Sequence, residues 1–281
     1  MGSTASITKI VTLFGILLCF FSRLGAQSNE EIFNKMFDAI DNVKTLKYSL
    51  YSIERIDDAF STGHCFVKLN VSPFKVYYKS IEKGVEVLLV DGDALINPNG
   101  FPYVTLHLSP TGKLMRKGQH QTMARLGYTY FGDMLSHSLA KFPDAYKNYV
   151  HRLADTSWDN TPCYKVEINF TQYTNVPYIV TQSGLTASKI ATQNFLNDYE
   201  VLTLNNISWY EDDLEIGQKL TLPAAYAKHV VLLVSKETNL PLVIRVYDDK
   251  GLYEMYQYTN LHVNPTIPDA EFTQDYPGYH F

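Results

Sequence analysis

Short stretches in which apolar and polar residues alternate recur along this chain at intervals of roughly ten residues. Turn-forming pairs such as Asp57-Asp58, Asp91-Gly92 and Asp248-Asp249 separate them. Alternation with a period of two is typical of strands that bury one face, and closely spaced turns favour antiparallel pairing. The pattern predicts an antiparallel meander, with strands over 46–56, 65–71, 74–78, 85–90, 103–108, 163–170, 230–234, 242–247 and 252–258.

Helical patterns precede and interrupt the strands. Ser28 and Glu31 form a predicted capping box, and apolar residues then recur at spacings of three and four through Val43. A second helical stretch begins near Thr122, and a short helix is predicted over 145–153. The order of helix, meander, helices and meander predicts an α+β fold, in which a curved antiparallel sheet carries helices on one face.

Composition limits the function classes. Of 281 residues, 46% are hydrophobic and 19% are charged, which excludes a disordered chain. The formal net charge of -5 argues against nucleic acid as a partner, because phosphates call for a basic face.

The first 26 residues have the pattern of a secretory signal peptide. Lys9 precedes an apolar run, 10–21, that is too short to span about 30 Å of hydrocarbon as a helix. Leu24-Gly25-Ala26 offers a cleavage site. We therefore expect residues 1–26 to be removed and the mature chain to be exported to a periplasm or cell envelope. No other run predicts a transmembrane segment.

Motifs of catalysis and metal binding are missing from the sequence. It contains no H-E-x-x-H, G-x-S-x-G, Walker loop, G-x-G-x-x-G or C-x-x-C pattern, and its eight His residues are scattered. No catalytic residue, metal site or cofactor is therefore predicted. Cys65 and Cys163 remain in the mature chain, either as a disulfide of the oxidising compartment or as two buried free thiols.

Residues 178–223 form a distinct unit. Strand-like Tyr178-Ile179-Val180, a tight exit at Gly184, a capping box at Asn197 and Glu200, and the alternating segment 219–222 predict a β-α-α-β order in 46 residues. The segment resembles a LysM module. The residues that carry the resemblance are Tyr178-Ile179-Val180, Gly184, Thr186, Ile190-Ala191, Leu202, Leu204, Asn205, Gly217-Gln218, Leu220, Leu222 and Pro223.

The LysM resemblance implies binding of peptidoglycan or a related N-acetylglucosamine glycan between two loops. Leu185 and Asn206 depart from the usual Gly-Asp-Thr and Leu-Asn-Pro, and the segment is acidic. One alternative is an inserted packing unit that has lost its groove; another is a module without a sugar role that presents Trp209 and Tyr210 to a protein partner. The implied glycan-binding residues are Ser183, Gly184, Leu185, Thr186, Asn205, Asn206, Ile207 and Trp209.

The flanking segments, 27–177 and 224–281, read as one domain split by this insertion. Lys44-Thr45-Leu46-Lys47-Tyr48, the paired strands of 231–261 and Tyr276-Pro277-Gly278-Tyr279 resemble the lipoprotein-carrier (LolA/LolB-like) half-barrels of bacterial, Bacteroidetes-like, envelope proteins. That resemblance implies a β half-barrel whose concave face holds a lipid, an acyl chain or a lipoprotein; an ordinary filled core is the alternative. The expected lining residues are Leu50, Phe66, Tyr77, Val87, Leu89, Val243 and Tyr256.

Taken together, these patterns predict a non-enzymatic envelope protein. The insertion would attach it to peptidoglycan, and the half-barrel would hold a hydrophobic ligand. A structural or assembly protein, whose insertion contacts other proteins without binding glycan, is the alternative.

Overall fold

The computed structural model describes residues 27–281, so the predicted signal peptide, 1–26, lies outside the described residues. Six α-helices and fourteen strands are found in this part of the chain. In chain order they are α1 (Asn29–Asp41), β1 (Thr45–Ile56), β2 (Ala59–Asn70), β3 (Lys75–Ser80), β4 (Glu86–Val90), β5 (Asp93–Asn97), β6 (Leu106–Leu108), α2 (Lys113–Arg116), α3 (Thr129–Ala140), α4 (Ala145–Asn148), β7 (Val150–Arg152), β8 (Thr156–Trp158), β9 (Thr161–Asn169), β10 (Asn175–Ile179), α5 (Ala187–Asn194), α6 (Asp198–Leu204), β11 (Lys219–Pro223), β12 (His229–Ser235), β13 (Pro241–Asp248) and β14 (Gly251–Val263).

Twelve strands form one sheet, in the order β6-β5-β4-β3-β2-β1-β14-β13-β12-β9-β7, with β8 paired to β9. All of these pairings are antiparallel. The first long strand pairs with the last, β1 with β14, and this pairing joins the two predicted meanders into one sheet. The α+β class and the large antiparallel sheet are therefore confirmed.

Helices cover one face of the sheet, which we call the inner face. The N-cap of α1 is a complete capping box of Ser28 and Glu31, as predicted. Phe33, Met36 and Ile40 of α1 are buried in the core that the inner face shares with α3. At the closest approach of α1 and α3, a Cβ on Gly132 would come within 3.1 Å of the Ile40 side chain.

The C-terminal segment, 265–281, crosses the opposite, outer face. The ring of Tyr279 stacks on Tyr77 with centroids 3.8 Å apart. The ammonium group of Lys68 lies over both rings and forms an ion pair with Glu271 at 2.6 Å. The outer face of β3 and β4 is thus covered by the chain itself.

Three local predictions require correction. Strands β5 and β8 have no counterpart in the prediction, which assigned only the Asp91-Gly92 turn directly before β5. The helix expected from Thr122 begins at Thr129, after a short 3-10 turn over Met123–Arg125 and Gly127 at φ 92°. The helix predicted over 145–153 ends at Asn148, because Val150–Arg152 pairs with β9 at the sheet edge. Tertiary strand pairing here overrides the local helical pattern.

The insertion has the predicted β-α-α-β order, as β10, α5, α6 and β11. Its two strands pair only with each other, and its apolar residues form a separate cluster around Ile190 and Val201. The first strand begins at Asn175, three residues before the predicted boundary. Asn197 caps α6, but the carboxylate of Glu200 does not complete a capping box, because it bonds to the Tyr173 hydroxyl instead.

No helix among residues 27–281 combines the length and the apolar character needed to cross a membrane.

Candidate functional site

A cavity of about 550 Å³ lies between the inner face of the sheet and the chain segment 106–134. Its sheet side is formed by residues of β1 to β5, β13 and β14, and its other wall by residues that follow β6 through the first turns of α3. The wall is apolar over most of its extent; representative residues are Leu50, Cys65, Val87, Leu108, Met123 and Ile244.

Polar side chains line one part of the wall. Glu54 lies there together with Ser52, Gln119 and Gln121. The carboxyl group of Glu54, in a residue that is 8% exposed, accepts hydrogen bonds from the Tyr256 hydroxyl (2.6 Å) and the His120 backbone N–H (2.8 Å). Burial raises the pKa of Glu54, although neighbouring His120 opposes that rise. The cavity is therefore amphipathic.

The structure distributes the seven expected lining residues over both faces of the sheet. Leu50, Val87 and Tyr256 line the cavity. Leu89 is on the same face, but it is buried in the core beyond the lining.

The expectation that Phe66, Tyr77 and Val243 face the cavity is wrong. Each lies on the outer face, in clusters with the C-terminal segment or with Cys163. The pairing register explains this: Cys65, not Phe66, opposes Leu50 across the β1–β2 pair. Because side chains alternate between faces, an error of one residue moves a side chain to the opposite side.

A buried ionic cluster lies beside the polar wall and joins it to the insertion. Asp198, the first residue of α6, accepts hydrogen bonds from Arg116 (3.1 Å), Arg125 (2.5 Å) and the Ser188 hydroxyl (2.9 Å). Arg116 and Asp198 have fully buried side chains, and the guanidinium of Arg116 also lies 3.5 Å from the centroid of the Tyr210 ring. The insertion is thus attached by charge to the segment that forms the cavity wall.

His120 occupies the centre of this cluster. Its ring is completely buried and stacks between Tyr199 and Tyr253, at centroid distances of 4.7 and 4.3 Å. Nε2 lies 3.0 Å from the Arg55 carbonyl oxygen and Nδ1 lies 2.8 Å from a carboxylate oxygen of Glu254. Both nitrogens face acceptors, which favours the doubly protonated ring.

The direction of the His120 pKa agrees with that protonation state. Burial disfavours the charged ring, but the hydrogen bond and the negative charge of Glu254 outweigh it and raise the pKa of His120. One potential metal-ligating atom from each of Glu54, His120 and Glu254 lies within 4.8 Å of the other two, so the three side chains are close enough to bind one cation. The guanidinium of Arg116, which donates to the His120 carbonyl, already supplies positive charge there, so we assign the set to a salt-bridge network.

Glu200, a half-buried acid of the insertion, lines a cleft of about 480 Å³ together with Tyr173, Tyr199 and Tyr253. The Tyr173 hydroxyl donates to its carboxylate at 2.8 Å. Burial, reinforced by the charges of Glu254 and Asp248, raises the pKa of Glu200 to about 7.

Four of the eight residues of the predicted glycan groove make packing or hydrogen-bonding contacts within the insertion. Leu185 and Ile207 are buried in its core, and Thr186 caps α5. The amide of Asn205 bonds to the backbone of Val201 and Thr221, and so joins α6 to β11. The remaining residues are the exposed Ser183, Gly184 and Asn206 and the half-buried Trp209.

Both cysteines are free and buried, which decides between the two alternatives for them in favour of free thiols. Burial raises the pKa of Cys65 to about 12 and also raises that of Cys163, so neither is an activated thiolate.

The ionic cluster was missed at the sequence level, although two of its members had a detectable signal. Glu54 follows Leu46, Tyr48 and Leu50 in the period-two series of inward-facing residues. Glu254 lies in the corresponding series of β14, before Tyr256 and Tyr258. A carboxylate in an inward-facing position of a strand needs a buried partner, and His120, which contacts both carboxylates, lies outside the strands.

No protein-family model and no curated protein matches the chain. Several solved structures are similar to this chain at low TM-scores. The lipoprotein LppX of Mycobacterium tuberculosis is 9% identical with a TM-score of 0.44, covering 85% of this chain and 97% of that one. A chain of the Pseudomonas aeruginosa MucA/MucB complex is 14% identical with a TM-score of 0.42, covering 87% of this chain.

A LolA superfamily protein of Nitrosomonas europaea is 12% identical with a TM-score of 0.30, covering 89% of this chain and 99% of that one. The present chain spans 60% of the length of the matched chain of the MucA/MucB complex. None of these comparisons identifies a LysM module.

The Asp198 cluster gives a first prediction. Replacing Asp198→Asn removes the charge that two guanidinium groups share, and leaving buried charges uncompensated costs about 3–5 kcal/mol. We expect the free energy of unfolding in urea to fall by that amount. Asp212→Asn, an exposed acid of the same insertion, is the control; equal stabilities of the two variants would contradict the assignment.

Glu200 gives a second prediction. Its pKa is raised on folding from 4.5 to about 7, so the native state keeps a proton that the unfolded chain releases in this interval. The free energy of unfolding should therefore fall as pH rises through it, by at most about 1.4 kcal/mol per pH unit for this group. The raised pKa of His120 adds a loss in the same direction above its ordinary value of 6.5.

Glu200→Gln, which mimics the protonated acid, should flatten this pH profile in urea unfolding measured from pH 4.5 upward. Glu215→Gln, at an exposed position, should leave the profile unchanged. Parallel profiles for wild type and Glu200→Gln would refute the buried-acid assignment.

Proposed function

We propose that the protein is a non-enzymatic carrier or receptor that holds an acyl chain or similar amphiphile in the cavity beneath the sheet. The observation that carries this proposal is the cavity itself: about 550 Å³ of space within an otherwise packed core. Ligand pockets commonly have volumes of about 300–1,000 Å³ and a mostly apolar lining with a few polar groups.

The amphipathic lining fits a ligand with an apolar tail and a polar head. The tail would contact Leu50, Val87 and Met123, and its burial would supply most of the binding free energy. The head would lie near Glu54 and Gln121, where hydrogen-bonding groups meet the apolar wall. Because its pKa is raised, the Glu54 carboxyl group is a candidate hydrogen-bond donor to such a head.

The insertion has a supporting role in this proposal. The cavity-lining residues all lie outside 178–223. The insertion instead contacts the segment that forms the wall. Asp198 accepts hydrogen bonds from Arg116 and Arg125, and the Tyr210 hydroxyl donates to the Gln119 carbonyl. It would therefore brace the wall and keep the cavity open.

Export is part of the same proposal. The signal-like segment 1–26 predicts that the carrier works in a periplasm or cell envelope, where acyl chains and lipoproteins are available as ligands. Glycan binding by the insertion remains a prediction, with peptidoglycan or a related N-acetylglucosamine glycan as its ligand. Its accessible residues are the exposed Ser183, Gly184 and Asn206 and the half-buried Trp209.

The cavity proposal is tested by filling the cavity. Leu108, half-buried in β6, lines it, so Leu108→Trp should occupy part of the space. We expect wild type to bind a soluble fluorescent fatty acid and the variant to bind it at least about tenfold more weakly, since several methylene contacts are lost. Fluorescence titration measures both affinities.

Leu95→Trp is the matched control. Leu95 is half-buried on the neighbouring strand β5, but it packs against the outer-face cluster. The control should bind the fatty acid as wild type does. If wild type shows no binding, or if both variants lose affinity equally, the cavity is not the ligand site.

Glycan binding is tested by sedimentation with purified peptidoglycan. If the insertion binds it, wild type should pellet and Ser183→Ala/Trp209→Ala should stay in the supernatant, because the substitutions remove the accessible hydroxyl and aromatic surface. Equal recovery of the two proteins in the pellet would exclude peptidoglycan binding at the predicted groove. The insertion would then have only the role of bracing the cavity wall.

A further inference from the structure

Exposed apolar side chains concentrate at the opening of the cavity. Ten large hydrophobic residues within 27–281 are strongly exposed, and five of them lie on three short segments next to lining residues. Scattered exposed hydrophobics are ordinary on a protein surface, but a group of this kind marks an interaction site. We call the five the rim: Ile81, Phe101, Tyr103, Val104 and Leu114.

Each rim segment is continuous with the cavity. Ile81 lies between Ser80 and Glu82, which both line the cavity, and Leu114 itself lines it while being 74% exposed.

The loop that carries the other three rim residues runs from Pro98 to Leu106, both of which are cavity-lining residues. At its tip, Phe101 and Tyr103 are 87% and 82% exposed and contact each other edge to face, with centroids 6.4 Å apart. These two aromatic side chains therefore project outward directly beside the opening.

The rim is basic, whereas the whole chain is acidic. Lys83, Lys113 and Lys117 are exposed there, and Lys83 and Lys117 line the cavity opening. The acidic side chain on the rim segments is that of Glu82. Exposed aromatic and aliphatic residues flanked by lysines are the composition with which proteins enter the interfacial layer of an anionic membrane.

We propose that the rim docks on an anionic lipid bilayer, with Phe101 and Tyr103 inserted among the headgroups and the lysines against lipid phosphates. This inference rests on the proposed acyl-binding function, because docking would place the cavity opening against the layer that contains the ligand. Three separate protruding segments suit a deformable lipid surface better than the continuous flat patch of a protein–protein contact.

Flotation with vesicles of phosphatidylcholine and phosphatidylglycerol at 3:1 tests the proposal. Wild type should float with these vesicles and bind pure phosphatidylcholine vesicles more weakly. Phe101→Ser/Tyr103→Asn should reduce the partition coefficient at least about tenfold, since two large apolar side chains leave the interface. Asn is chosen because Tyr103 has a φ of 59°, which Asn tolerates.

Ile179→Ser/Ile216→Ser is the matched control, because these residues are 54% and 66% exposed on the insertion. It should float as wild type does. The proposal is overturned if the wild type does not float, or if the control loses as much binding as the rim variant. If the wild type does not float, the rim is instead assigned to a protein-binding surface.

The rim and the cavity are separable by experiment. Neither Phe101 nor Tyr103 lines the cavity, so the rim variant should bind the soluble fluorescent fatty acid with wild-type affinity. Loss of flotation with retained fatty-acid binding supports docking, whereas loss of both shows that the substitutions disturb the cavity and overturns the assignment of these residues to docking.

Discussion

The buried carboxylate of Asp198 is the interaction on which the arrangement of this protein depends. It lies at the start of α6, and it binds Arg116 and Arg125 from the chain segment opposite the sheet. Arg116 continues the network through the His120 carbonyl, and the His120 ring reaches Glu254 on the sheet. Insertion, wall and sheet thus meet in one buried network. Each buried ion costs several kcal/mol, so the network holds only while every charge has its partner.

This dependence gives a physical reason for an open cavity. A loop with apolar residues such as Met115 and Met123 would gain free energy by collapsing onto the sheet. Arg116 lies next to Met115, and Arg125 lies two residues beyond Met123, so the two anchors flank the wall. Asp198 holds both guanidinium groups in position, and this anchoring opposes the collapse of the apolar residues between them onto the sheet. We call this network of Asp198, Arg116, Arg125, His120 and Glu254 the junction. Because the junction is polar and costly to bury, it favours a structure in which an apolar volume stays unfilled.

The period-two alternation, the capping residues and the turn pairs were sufficient to predict α1, the order of elements in the insertion and the antiparallel sheet apart from β5, β7 and β8. They were not sufficient to predict which face each strand presents. Leu50 lines the cavity and Phe66 lies on the outer face, because the face depends on the pairing register of the β1–β2 hairpin, in which Cys65 opposes Leu50. The ionic cluster was also beyond local patterns, since Arg116, Asp198 and Glu254 are brought together only by the completed fold. The side chains of Thr186 and Asn205, which the sequence assigns to a glycan groove, hold the insertion together as a helix cap and a bridge to β11.

Glu54 belongs both to the cavity wall and to the buried network. Its carboxyl group lines the cavity, yet one of its hydrogen-bond partners, the His120 backbone, belongs to the junction. A charged group so buried is disfavoured, which is why its pKa is raised rather than lowered. A ligand head that approaches Glu54 therefore meets the same group that contributes to the junction. Occupancy of the cavity and the protonation of the junction must then be linked, because a ligand that favours one protonation state of Glu54 changes the charge seen by His120 and Glu254.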